Sequence, residues 1–378
     1  MFKSKTLFIV GAGASREADL PDGSGLKEKI ATLLDIRFQH GIRQISGDDQ
    51  IVHALQQHVR LLEGQQGDIN PYLRKAKHIR DIVPTLAISI DNYLDAHQGD
   101  EETELCGKLS IVRAILNAEG TSKLRPIDAH SARYHLNQLS GSWYSRFFQM
   151  LTENVPKSDV DSLFKNVSII TFNYDRCIER FLPQAISDYY QLEFSRTELL
   201  VNRELKIFHP YGQVGPLPWQ ESSLGVPFGS PASDLLRLAG GIKTFTEGRL
   251  DEELVRQMHD EIMEAETIVF LGFAFHPLNM KLLTPPNGAY PRRIFATTFG
   301  MSDADEQVIK NDIWRMLGRK EISLSSLEEP EFAQVTCADF FQQYFRSMSA
   351  SADDEVPIKI DLPATAGLPQ MPSINWPR

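Results

Sequence analysis

Four short segments of the chain carry residues whose types and spacing suit chemistry. The first is Gly11-Ala12-Gly13-Ala14-Ser15, which ends the apolar run Thr6–Val10. Glycines placed directly after a buried strand let a phosphate reach backbone N–H groups, because a Cβ would hold it away. The same string also serves as a tight strand-to-helix turn with no ligand. The second segment, Phe172-Asn173-Tyr174-Asp175, follows the strand-like Val167–Thr171. Asn173 both donates and accepts hydrogen bonds, which suits ribose hydroxyls or a water beside an anomeric carbon; it equally suits capping a helix. Asp175 competes for the cap and is as well suited to holding the loop together. The third segment runs from Lys206-Ile207-Phe208 into His209-Pro210-Tyr211-Gly212. His209 brings an imidazole that titrates near neutral pH to a strand end, with a purely structural histidine as the alternative. The fourth is Gly272-Phe273-Ala274 after Thr267–Leu271, with Thr298 closing the next apolar run.

The elements that must position these residues read as a parallel sheet. Thr6–Val10, Val167–Thr171, 205–208, Thr267–Leu271 and 293–298 are short, β-branched and apolar, the pattern of strands buried on both faces. A weaker strand is expected at 321–324. A helix is expected over 250–264, with Leu254, Met258 and Ile262 on one face, and a closing helix over 338–345. Strands alternating with helices predict an α/β, Rossmann-like fold: a mostly parallel sheet with helices on both faces.

From about 28 to 159 the spacing is helical throughout, so this stretch reads as a helical insertion, with 1–27 and 160–346 forming the core. Ile51, Val52, Leu55, Val59 and Leu62 share one face; Leu86, Ile90 and Leu94 follow a presumed first-turn Pro84; and Ala132 to Met150 repeats the spacing across a Ser140-Gly141-Ser142 break. Residues 347–378 read as an extended tail rich in Pro, Ser and Ala.

Composition narrows the function classes. The 378 residues carry 39 Lys+Arg against 50 Asp+Glu, a formal net charge of -11, which argues against broad binding of a phosphate backbone. The apolar run at 268–271 is too short to span a bilayer, and the opening Met1-Phe2-Lys3-Ser4-Lys5 lacks the layout of a signal peptide, so a cytoplasmic location is expected. Three scattered cysteines, Cys106, Cys177 and Cys337, build neither a disulfide framework nor a four-cysteine zinc site. The histidines include no His-Glu-x-x-His, and no metal is expected.

The dinucleotide fingerprint of dehydrogenases is not met, since its third glycine would fall at Arg16. The longer string Gly11-Ala12-Gly13-Ala14-Ser15 with Leu20-Pro21-Asp22 instead resembles the first motif of the sirtuin family, Gly-Ala-Gly-x-Ser followed by Ile-Pro-Asp. It departs after Asp22, where sirtuin deacylases carry Phe-Arg and this chain has Gly23-Ser24. Phe172-Asn173-Tyr174-Asp175 resembles the second motif, Thr-Gln-Asn-x-Asp. His209-Pro210-Tyr211-Gly212 is similar to the strand-end His of the family, which directly precedes a Gly; His209 is assigned that role, with Tyr211 as the fallback. Gly272-Phe273-Ala274 resembles the later Gly-Thr-Ser, with both hydroxyls replaced.

The resemblance implies NAD bound at the strand ends. Gly11, Ala12, Gly13, Ser15, Pro21, Asp22, Asp175, Gly272, Phe273 and Thr298 would contact it, and Asn173 and His209 would act at the nicotinamide ribose. Without a zinc module for a peptide cleft, it implies NAD hydrolysis rather than deacylation. A non-catalytic NAD or ADP-ribose binding subunit and an NAD-dependent protein deacylase are the alternatives. It further implies a bacterial antiphage defence effector that depletes NAD, working as a homo-oligomer and with a HerA-type ATPase as a candidate partner.

Overall fold

Five of the apolar runs and one further short strand pair into one sheet. In chain order the strands are β1 (Thr6–Val10), β2 (Arg37–Gln39), β3 (Arg43–Ser46), β4 (Val167–Thr171), β5 (Lys206–Phe208), β6 (Thr267–Leu271), β7 (Arg293–Thr297) and β8 (Glu331–Ala333). The structure, a computed structural model, describes residues 2–64, 67–128, 132–231, 234–243, 251–318 and 329–349. The main sheet has the order β5-β4-β1-β6-β7-β8, and each neighbouring pair is parallel. Counting only its own strands, that is the order 3-2-1-4-5-6 of doubly wound dinucleotide-binding sheets. The fold is therefore α/β and Rossmann-like. The chain reverses its direction of travel across the sheet between β1 and β6, and this switch point is where such sheets open a crevice at the strands' carboxyl ends.

Alternation along the strands divides the core in two. Leu7 and Ile9 of β1, with Ile170, Ile268, Phe270 and Ile294, face the helices Gly23–Leu33, Asp49–Glu63, Asn70–Leu86 and Glu101–Thr121. Phe8 and Val10, with Ile169, Val269, Leu271 and Phe295, face Trp143–Thr152, Cys177–Tyr190 and Cys337–Ser349. On this second face Phe8 meets Phe147 edge-on at 5.4 Å between ring centroids, and Trp143 stacks on Phe341 at 6.1 Å. Each fully buried side chain of this size stabilises the fold by roughly 1.5–3 kcal/mol before entropy is counted. The central strands are thus rigid, and the loops at their ends are held by them.

The helical stretch differs from expectation in three places. A two-stranded antiparallel hairpin, β2–β3, interrupts it. Its turn is His40-Gly41 with φ of 53° and 73°, the left-handed pair of a type I′ turn. Both strands are largely exposed, so they lack the apolar pattern that announces a core strand. Pro84 does not open a helix: it lies near the end of Asn70–Leu86, and Ser89 caps a separate helix, Ile90–Ala96. Trp143–Thr152 packs directly on the sheet, beneath Phe8. The expected strand at 321–324 and nearly all of the tail lie outside the described residues. The last described strand of the sheet is β8, a three-residue strand further along the chain.

Candidate functional site

The loops after β1 and β6 touch at the switch point. Gly11 N–H donates to the Leu271 carbonyl at 3.0 Å, and Gly13 N–H donates to the Gly272 carbonyl at 3.0 Å. A Cβ on Gly11 would lie 2.6 Å from the Gly272 oxygen, and one on Gly272 would lie 2.2 Å from the Ala14 nitrogen. Gly272 also has φ +57, so it is excluded from L side chains twice over. These glycines are needed for backbone-on-backbone packing, and the N–H groups of Gly11 and Gly13 are spent on it. Ala12 opens the turn Ala12–Ser15, and a first-turn N–H has no acceptor within its own helix.

Asn173 is buried and held by this loop. Its Nδ2 donates to the Gly11 carbonyl at 3.1 Å and to Ser15 Oγ at 2.9 Å. Since a carbonyl only accepts, the amide orientation is fixed. Ser15 Oγ in turn donates to Asp175 Oδ2 at 2.8 Å, and Asp175 Oδ1 accepts from the Cys177 N–H at 3.1 Å. Burial pushes the Asp175 carboxyl up, against the lowering effect of its Ser15 and Cys177 hydrogen bonds. The relay leaves one atom over: Asn173 Oδ1 is buried and has no partner. A buried acceptor without a donor is costly, and at a cleft wall a ligand or an ordered water can complete it.

His209 stands elsewhere. Its Nε2 lies 2.8 Å from Glu179 Oε1 and its Nδ1 lies 3.2 Å from the Asn173 carbonyl oxygen. Both neighbours are acceptors, so the charged ring, in which both nitrogens donate, satisfies both contacts. Burial lowers its pKa, but the Glu179 charge and hydrogen bond outweigh this, and the net shift is upward. An imidazolium with two engaged nitrogens has no lone pair with which to take a proton. The ring fixes the backbone of Asn173 from behind the loop.

In front of the loop lies a cleft of about 1010 Å³, a volume at the upper end for small-molecule sites. It is lined by the ends of the strands: Gly11, Ala12 and Gly13 after β1, Phe172 and Asn173 after β4, Tyr211 after β5, Gly272 and Phe273 after β6, and Thr297 of β7. Asp22 lines it too, while capping the next helix by accepting from Gly25 N–H at 2.9 Å. Arg16, Lys123 and Lys243 add positive charge to the wall. The opposite wall comes from the helical region, through Ser89, Asp91, Asn92 and Asp95.

Of the residues singled out from sequence, Gly11, Ala12, Gly13, Asp22, Asn173, Gly272 and Phe273 meet in this cleft, as does Tyr211. Ser15, Pro21, Asp175 and His209 stand behind its lining. Thr298 is fully buried, with its hydroxyl donating to Glu306 Oε1 at 2.6 Å. Its neighbour Thr297 faces the cleft, and there its Oγ1 accepts from Gly272 N–H at 2.8 Å. Sequence reasoning placed Ala296-Thr297-Thr298 at this crevice but chose Thr298 over Thr297, and it missed Glu179 and the helix Ile90–Ala96. Strand alternation separates Thr297 from Thr298 once the strand's end is fixed. Nothing local to Ser89-Ile90-Asp91 announces that it faces a strand end far away in sequence.

Tyr211 donates to Asn279 Oδ1 at 2.6 Å, and burial pushes its phenol well up, so it enters the cleft as a neutral hydroxyl. Among the described residues no helix is long and apolar enough to cross a membrane, and no group of three His, Cys, Asp or Glu side chains is placed to hold a metal ion.

No protein-family model matches the chain, and no curated protein matches it. Among solved structures, a crystal structure described as a Sir2 homolog–NAD complex aligns over 92% of this chain and 90% of that one, at 11% identity and a TM-score of 0.36. A likeness that distant assigns neither activity nor site residues to this chain.

Proposed function

We propose that the chain binds NAD along the switch-point cleft and hydrolyses its nicotinamide–ribose bond to nicotinamide and ADP-ribose. The observation that carries this reading is the immobilised Asn173, whose Nδ2 is fixed by Gly11 and Ser15 while its buried Oδ1 is left without a donor. An acceptor held this way suits a ribose hydroxyl or an attacking water. Cleavage passes through an oxocarbenium-like transition state, in which correct placement of water and sugar contributes much of the rate. The Ala12 N–H and the Arg16, Lys123 and Lys243 side chains suit the diphosphate. The motif resemblance at 11–22 and 172–175 supports a nicotinamide dinucleotide as the ligand. His209 is a positioning residue in this scheme, acting through the Asn173 carbonyl.

The same histidine favours a second reading. With no free ring nitrogen, it leaves room for a subunit that binds NAD or ADP-ribose without turning it over. On the resemblance, the hydrolase would be a cytoplasmic antiphage effector that depletes NAD, a homo-oligomer, and a partner of a HerA-type ATPase. Its core would comprise 1–27 and 160–346, with 28–159 inserted and 347–378 as a tail.

The test is incubation of purified protein, alone and with a candidate ATPase, with NAD and with an acetylated peptide. Nicotinamide released with no deacetylated peptide supports the hydrolase. Nicotinamide formed only with deacetylation contradicts it in favour of a deacylase. Binding with no release under any condition supports the binding subunit.

A further inference from the structure

We propose that Asp91 is the general base of this cleft, taking the proton from the water that attacks the ribose; the role rests on the NAD-cleaving reading above. Hydrolysis needs an acceptor for that proton, and both nitrogens of the His209 ring are engaged, with Glu179 and with the Asn173 carbonyl. Among the carboxylates on the wall, Glu17 accepts from the Trp143 and Ala338 N–H groups at 2.7 and 2.8 Å, and Asp22 caps a helix and pairs with Arg16. Asp91 comes from the Ile90–Ala96 helix across the cleft and shares the lining with Asn173. The Tyr174 hydroxyl, from the residue next to Asn173, donates to Asp91 Oδ1. That bond ties the carboxylate to the loop that carries Asn173.

The titratable groups facing Asp91 come from three strand ends and from its own helix. They are Tyr174 after β4, Tyr211 after β5, His276 after β6 and Asp95 one turn along its own helix. Burial pushes the Asp91 carboxyl up, against the lowering effect of the Tyr174 hydrogen bond and of His276. A raised carboxylate is better matched to proton transfer near neutral pH. The water oxygen bonds to the ribose anomeric carbon as the bond to nicotinamide breaks. The bonding pair leaves on the nicotinamide nitrogen and neutralises its charge. The water's proton passes to Asp91 and then to solvent, with no oxidant or reductant.

The experiment measures NAD binding by calorimetry and nicotinamide release from about pH 5 to 9 for wild type, Asp91→Asn and Tyr174→Phe. Asp91→Asn is expected to bind NAD within about threefold of wild type and to lose at least about 100-fold in turnover, with its acid limb abolished. Tyr174→Phe removes a bond that lowers the Asp91 pKa, so its acid limb is expected to move to higher pH; if Asp91→Asn does not fold, this variant decides. Turnover within about threefold of wild type in Asp91→Asn, loss of NAD binding in it, or an unmoved limb in Tyr174→Phe overturns the proposal. Wild type that binds NAD without cleaving it overturns the role of Asp91 and leaves the binding reading standing. Wild type that binds no NAD overturns both.

Discussion

Asn173 and Arg176 lie three residues apart on one loop, and both are buried, yet their surroundings are finished in opposite ways. Arg176 is fully enclosed. Its guanidinium donates from Nε to Glu119 Oε1 at 3.0 Å, from Nη1 to the Val226 carbonyl at 2.6 Å and the Gly215 carbonyl at 3.2 Å, and from Nη2 to Glu119 Oε2. Glu119 Oε2 also accepts from the Gly229 N–H at 3.0 Å. This cluster staples the Glu101–Thr121 helix to the 213–231 segment, and its charges are matched within it. The Asn173 cluster also reaches across the chain, from Gly11 through Ser15 to Asp175, but it stops one hydrogen bond short at Oδ1. A network that closes on itself serves the fold. One left incomplete at a cleft wall has an acceptor that a ligand can use, and that is the role proposed for Asn173.

The sharpest test of that contrast is Glu119→Ala. It strands the Arg176 charge in a dry interior and is expected to cost about 3–5 kcal/mol of folding free energy, read by urea denaturation. A loss under about 1 kcal/mol would mean that water reaches the pair and that the cluster is not the closed staple described. Asn173→Ala should behave in the reverse manner. Nicotinamide release is expected to fall by about 10²–10³-fold, while unfolding free energy drops by only about 1–2 kcal/mol, as for a lost buried hydrogen bond. Equal damage to stability and turnover would remove the distinction between the two clusters.

The His209–Glu179 pair sharpens the comparison through pH. The folded-state pKa of His209 is raised above its ordinary 6.5. Its contribution to stability is therefore complete below the unfolded value and fades as pH rises through the folded one. His209→Gln is expected to destabilise the protein by about 1–3 kcal/mol in mildly acidic buffer. The deficit should shrink at alkaline pH, as measured by denaturation across that range. A deficit that grows with pH would contradict the imidazolium assignment. The smallest effects concern the end of β7. Thr297→Val removes the acceptor from Gly272 N–H and is expected to weaken NAD affinity by roughly 1 kcal/mol, whereas Thr298→Val, behind the wall, should leave it unchanged by calorimetry.

The central sheet was legible because its strands are buried on both faces. Thr6–Val10, Val167–Thr171 and Thr267–Leu271 are continuous apolar runs, and the bounds of the strands coincide with them. The hairpin at 37–46 was not, because its side chains are exposed or half-buried and only the His40-Gly41 turn marks it. β8 is three residues at a sheet edge, too short to carry a period. In the cleft, the glycine loops and Asn173 were visible because local backbone chemistry demands those residue types after a strand. The orientation of His209 was hidden, because it depends on Glu179, a carboxylate in the first turn of a helix thirty positions earlier in the chain. Asp91 was hidden for the same reason: its place is set by how a distant helix lies across the strand ends.

The claim beneath all of this is that Asn173 Oδ1 is an acceptor kept for the nicotinamide ribose. A crystal structure of the Asp91→Asn variant with NAD tests it directly. The account predicts a ribose hydroxyl or an ordered water at about 3 Å from that oxygen, with the diphosphate against Ala12. NAD bound elsewhere, or in the cleft with Oδ1 still unpaired, would contradict it.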